Sequence, residues 1–148
     1  MNQDTICAIA TAQGGAIGCI RVSGPEAIEI TSRIFTPAAM GKKLKDSKPY
    51  TLTFGRIHEG SEIIDEVLVS LFRAPHSYTG ENSTEITCHG SVYILQKVLQ
   101  LLITNGCRMA QPGEYTQRAF LNGKMDLVKQ KPLPTLSLHP PLPPIASP

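Results

Sequence analysis

Apolar and polar residues alternate by twos in some stretches of the chain and recur by threes and fours in others, and the two periods predict its elements. "TICAIA" and "GAIGCIRVSG" are short β-rich runs separated by the turn around Gly14 and Gly15, which predicts two strands. "SGPEAIEITSRIF" predicts a helix, with Ser23 as its cap, Pro25 near the first turn and Glu26 early. Ile28, Ile30 and Ile34 fall on its apolar positions, and it should stop before Pro37. "MGKKLKDSKP" carries four lysines and no apolar period, the pattern of a solvated loop. "YTLTFGRIH" and "IIDEVLVSLFRA" alternate on either side of Gly60 and predict a hairpin, and "STEITCHG" predicts one more strand.

In "SVYILQKVLQLLITNG" the residues Val92, Ile94, Leu95, Val98, Leu99, Leu101 and Leu102 recur at helical spacing. Ser91 can cap this helix and Gly106 can close it. "CRMA" then reads as a returning strand and "QPGEYTQRAFLNGK" as a turn with a short helix. Strands and helices interleave without regular βαβ spacing, which predicts an α+β domain and not a doubly wound sheet.

The 148 residues suffice for one domain with a real core, plus a tail. Net charge is +2, yet residues 1–128 hold 12 Lys and Arg against 12 Asp and Glu; Lys129 and Lys131 supply the excess. A neutral domain lacks the broad basic surface that gripping nucleic acid requires. No apolar run approaches a membrane span, and "MNQDTICAIA" has no signal-peptide pattern, so a cytoplasmic protein without membrane contact is expected. Cys7, Cys19, Cys88 and Cys107 are scattered, as expected of reduced, mostly buried thiols. Cys88 and His89 are adjacent, but His58, His76 and His139 sit in no zinc-ligand spacing, so no metal site is expected.

Three charged residues stand where elements end: Arg21 after "AIGCI", Glu85 within "STEIT" and Lys124 closing "RAFLNGK". Singly, each reads as a surface or salt-bridge residue. As a set they suit a ligand with a carboxylate tail and a heterocyclic head bearing adjacent N–H donors. Arg or Lys would take the tail and a carboxylate the head.

The runs "DTICAIAT", "IRVSGPEA", "IDEVLVSLFRAPHSYTGE", "EITCHG" and "PGEYTQRAFLNGKMDL", in that order, resemble the N-terminal domain of the MnmE (TrmE) family of tRNA-modification GTPases over nearly all of residues 4–128. The resemblance implies a tetrahydrofolate-binding domain related to the glycine-cleavage T-protein. It also implies homodimerisation through this domain, with a 5-formyl-tetrahydrofolate-like one-carbon donor near the interface. Arg21, Glu85 and Lys124 match the family's folate contacts. GTP, magnesium and potassium would belong to a GTPase domain, because this chain contains no G-x-x-x-x-G-K-[ST] loop. By itself it is therefore not expected to hydrolyse GTP, and no catalytic residue is expected within it. The whole protein would work with a flavin-dependent MnmG (GidA) type partner on the wobble uridine of tRNA, at carbon 5. Two departures stand out: "TAQGGA" is shorter than the family's first glycine-rich loop, and "HGS" replaces the common "HGG". A domain that only dimerises, with no ligand, is the alternative reading.

From Lys129 to Pro148, seven of twenty residues are proline and none is acidic. With suitable synonymous codons, a one-base shift turns "KQKPLPTLSLHPPLPPIA" into the alanine-rich "QAEAVADLIASSTAAAHR", the kind of helix the family carries after "MDL". We therefore expect residues 1–128 to form the folate-binding and dimerisation domain, and 129–148 to be an out-of-frame, non-native tail. The competing reading takes "PLPTLSLHPPLPP" as a polyproline ligand for an SH3-type partner.

Overall fold

The computed structural model describes residues 4–11 and 14–124, so the expectations for 129–148 lie outside the described residues. Strands β1 (Ile6–Ile9), β2 (Ile17–Ser23), β3 (Phe35–Pro37), β4 (Leu52–Glu59), β5 (Glu62–Phe72), β6 (Ser83–His89) and β7 (Arg108–Met109) form one sheet in the order β3-β4-β5-β6-β2-β1-β7. Every neighbouring pair is antiparallel except β1 with β7. Helices α1 (Ala27–Ile34), α2 (Val92–Thr104) and α3 (Glu114–Leu121) complete a mixed domain that fits the α+β expectation over a doubly wound sheet.

Strand alternation divides the sheet into two faces. Ile20 and Ile86 face each other across β2 and β6, Val69 stands beside Ile86 on β5, and all three are fully buried with Ile30 of α1 and Leu102 of α2. The buried Thr31 and Thr84 hydroxyls bond at 2.7 Å and tie α1 to β6. Cys19, Arg21, Ser23, Ser83 and Glu85 occupy the alternate positions, so they point to the opposite face. That face carries the polar chemistry.

The β4–β5 hairpin forms as predicted around Gly60, and Ser91 caps α2 by accepting from the Ile94 N–H at 3.3 Å. The serine of "HGS" is thus a helix cap. Gly106, with φ +122, ends the helix in a conformation that a side chain disfavours.

Two expectations need correction. Ser23 does not cap α1: it ends β2, and its hydroxyl bonds Thr79 and Glu81. The helix starts four residues later, after Gly24, whose φ is +144 and whose missing Cβ would sit 2.5 Å from Thr5 Cα. Thr5 Oγ1 accepts from the Glu26 N–H at 3.0 Å, satisfying a donor that Ser23 was expected to serve. The lysine-rich segment is also more than a solvated loop, because Leu44 is 1% exposed and opens a 3-10 turn, Leu44–Asp46. Burial of that one side chain pins a loop whose lysines stay outside.

Among the described residues no helix is long and apolar enough to cross a membrane.

Candidate functional site

Arg21, Glu85 and Lys124 are remote in sequence, and the fold brings all three to one concavity of about 430 Å3. Its floor is the polar face of the sheet. The register places Arg21 opposite Glu85, and Glu85 opposite Ser70; one step along, Ser23 lies opposite Ser83, and Ser83 opposite Phe72. The loop His76–Thr79, Tyr50 and Lys124, which follows α3, complete the wall.

Arg21 Nε donates to Glu85 Oε2 at 3.1 Å, with the two side chains 21% and 34% exposed. The contact uses one donor of the guanidinium and one carboxylate oxygen. Among the described residues the Arg21 Nη groups and Glu85 Oε1 have no protein partner, so both can engage a ligand while the pair holds itself in place. Lys124 Nζ donates to the Pro75 carbonyl at 3.0 Å, which fixes the ammonium at the rim.

The support for this pair was not foreseen in the sequence. Tyr115 of α3 donates its hydroxyl to the Arg21 carbonyl at 2.6 Å, and the guanidinium carbon lies 5.8 Å from the centre of its ring. Burial pushes the Tyr115 hydroxyl well above its ordinary pKa, so it remains a donor at neutral pH. Arg118, 12% exposed, bonds Glu81 at 3.1 Å, Glu114 at 3.2 Å and Asp4 at 2.8 Å, and Arg108 joins Asp4 and Glu114 at 2.7 Å each. These bonds lock α3 to the segment before β1, to β7 and to the loop before β6. The hydrogen bonds to Arg108 hold the Asp4 carboxyl down at about 2 and also lower that of Glu114. "PGEYTQRAF" contains three of these residues at helical spacing, Glu114, Tyr115 and Arg118, but spacing alone could not reveal partners 37 to 114 residues away.

Reactive groups are poorly represented here. Cys19 shares the polar face with Glu85; burial and then the Glu85 charge push its thiol up to about 11. A protonated thiol is a weak nucleophile. Cys88 is buried in the core, pushed up to about 12 mainly by burial, whereas the exposed His89 ring bonds Asp65 at 2.7 Å. Their adjacency in sequence does not make a ligand pair, and among the described residues no three His, Cys, Asp or Glu side chains converge. The arrangement is equipped to bind and orient a polar ligand.

The family described as GTP-binding protein TrmE N-terminus matches residues 5–124. The chain is also similar to proteins named tRNA modification GTPase MnmE. It is 86% identical over 127 residues to that of Bacteroides thetaiotaomicron and, equally, to that of Bacteroides fragilis strain YCH46. In both comparisons the match covers 86% of this chain and 27% of the relative. Against the Porphyromonas gingivalis protein the identity is 52% over 127 residues, covering 85% and 27%. The chain thus spans about a quarter of the length of these relatives.

Proposed function

Because the chain belongs to the TrmE N-terminal family, we propose that its polar cavity binds a tetrahydrofolate and that residues 1–128 are the folate-binding and dimerisation part of a tRNA-modifying GTPase. The observation that carries the reading is the meeting of Arg21, Glu85 and Lys124 in one cavity of about 430 Å3, a volume suited to a small organic ligand. Glu85 offers Oε1 to the adjacent N–H donors of a pterin head. Arg21, through its Nη groups, and Lys124 bind carbonyl or carboxylate parts of the same molecule. When bound, the folate would supply a one-carbon unit; the protein's own residues bind it and orient it.

The remaining steps belong to the whole protein. In this proposal it acts in the cytoplasm, hydrolyses GTP in a separate domain that uses magnesium and potassium, and joins an MnmG-type flavin-dependent partner to modify the wobble uridine of tRNA. For the tail, we propose that residues 129–148 are read out of the parental frame, a view supported by a match that spans 127 residues of this chain at 86% identity. Sequencing the coding DNA tests it, and an in-frame tail would refute it.

Calorimetric titration with 5-formyl-tetrahydrofolate, with mass measured by light scattering on the same sample, tests the main proposal. Micromolar binding by a dimer is the expected outcome. A folded protein without affinity for the ligand would contradict the folate assignment, and a binding-competent monomer would contradict dimerisation.

A further inference from the structure

A strongly cationic loop is tied to the polar cavity and lies outside the set Arg21, Glu85 and Lys124. Lys42, Lys43, Lys45 and Lys48 are all exposed, and among the described residues none is in an ion pair. Asp46 is the only acidic residue between Met40 and Tyr50. Four lysines on a free loop would mean little, since solvated lysines are common. This loop is anchored at several points. Leu44 is buried, the Ser47 and Thr53 hydroxyls bond at 2.9 Å, and Thr51 Oγ1 donates to the Lys48 carbonyl at 2.6 Å.

The same anchors join the loop to the cavity. Arg73 follows Phe72, a lining residue, and its guanidinium donates to the Lys45 carbonyl. Tyr50, two residues beyond Lys48, also lines the cavity; it packs edge-on against Phe72, with ring centroids 5.3 Å apart, and donates to the His76 carbonyl at 3.0 Å. Tyr50 has φ +66, the one positive φ outside glycine among the described residues, so the backbone accepts strain to hold that ring at the mouth. Lys45, Lys48 and Arg73 thus stand on segments tied to the lining residues Tyr50 and Phe72, and Lys42 and Lys43 precede them on the same anchored loop.

We infer that this loop binds the poly-γ-glutamate tail of a folate, so that the natural ligand class of the cavity is polyglutamylated tetrahydrofolate. The inference rests on the folate reading of the cavity. A heterocycle oriented by Glu85 and Arg21 sends its glutamate out through the mouth, and each added γ-linked glutamate brings one carboxylate to lysines that lack a protein partner. An exposed pair contributes about 0.2–1 kcal/mol, roughly 1.4- to 5-fold in affinity. Several pairs give a combined preference of about ten- to a hundredfold, sensitive to salt.

The test is calorimetry on the whole chain, comparing 5-formyl-tetrahydrofolate bearing one glutamate with the same folate bearing five, at low ionic strength and in 0.5 M salt (a concentration that shortens electrostatic range to roughly 4 Å). The expected result is at least about tenfold tighter binding of the pentaglutamate at low salt, shrinking in high salt. The preference should collapse to about one- to twofold in the K42Q/K43Q/K45Q/K48Q variant and persist when the four are arginine; circular dichroism confirms that both variants fold. Equal affinity for the two ligands would overturn the tail site alone. A preference that survives the glutamine variant would overturn the lysine assignment. Failure of both ligands to bind the folded protein would overturn the folate reading, and this inference with it.

Discussion

Two concavities formed by the described residues differ in kind. The larger, about 900 Å3, runs along the outer side of α2 and is lined by Ile9, Leu99, Ile103 and Met109 with Tyr93 and Gln100. Its one charged liner, Lys97, is already held by Glu59 at 2.8 Å. The smaller, about 430 Å3, holds Arg21, Glu85 and Lys124, with donor and acceptor atoms still to spare. Volume therefore points to one place and chemistry to another. An apolar groove gains from covering by almost any apolar surface, whereas a half-partnered carboxylate beside a guanidinium selects a ligand by the pattern of its hydrogen bonds.

Leu102→Ala should have the largest effect on stability. Leu102 is fully buried on the core-facing side of α2 and belongs to the core that supports both regions, and truncation at such a site costs about 2–5 kcal/mol. Urea unfolding should show that loss. Glu85→Ala comes next and separates the two regions. It should weaken 5-formyl-tetrahydrofolate binding by tens-fold, on the scale of about 2–5 kcal/mol for losing one partner of a charged hydrogen bond, with the low end favoured by partial exposure. Unchanged affinity in calorimetry would remove Glu85 from the site.

Arg118→Ala should cost about 1–3 kcal/mol, because it takes from Glu81 its ion-pair partner, leaving that carboxylate with the Ser23 hydroxyl, and releases α3 from the loop before β6. Its second readout is a weaker folate complex, since α3 carries Tyr115 and leads to Lys124. A smaller effect follows from pH. The Asp4 carboxyl has its folded pKa lowered from 3.8 to about 2, so its contribution is present above about pH 4 and is lost as pH falls through about 2. The gap in urea midpoint between the natural chain and Asp4→Asn should therefore close across that window; a constant gap would contradict the Arg108 and Arg118 pairing. Tyr93→Ser, in the apolar groove, should change folate affinity by less than about twofold and stability by about 0.5 kcal/mol or less. A large loss of affinity there would erase the distinction between the two concavities.

Much of this was readable from periodicity. The β4–β5 hairpin announced itself by alternation about Gly60, and α2 by its apolar spacing between Ser91 and Gly106. The three-residue strand β3 did not, because Phe35–Pro37 is too short to show a period and is made by pairing with β4. Leu44 was hidden among lysines, since one buried side chain leaves no pattern. Ser23 looked like a helix cap by composition, but tertiary contacts with Thr79 and Glu81 claimed its hydroxyl. For the candidate site, Arg21, Glu85 and Lys124 were marked by charge at element ends and tied to folate by family resemblance, and their meeting place is a product of the fold that local sequence does not encode. Tyr115 and Arg118 escaped notice because their partners lie at the other end of the chain.

The central claim is that the polar cavity, and not the larger groove, takes the folate. Amide chemical-shift mapping of the labelled chain titrated with 5-formyl-tetrahydrofolate tests it most directly. The account predicts shifts concentrated at Arg21, Ser23, Ser83, Glu85, the 76–81 loop and Lys124, with residues 93–104 of α2 unmoved. Shifts confined to α2, Ala8, Ile9 and Met109 would contradict it.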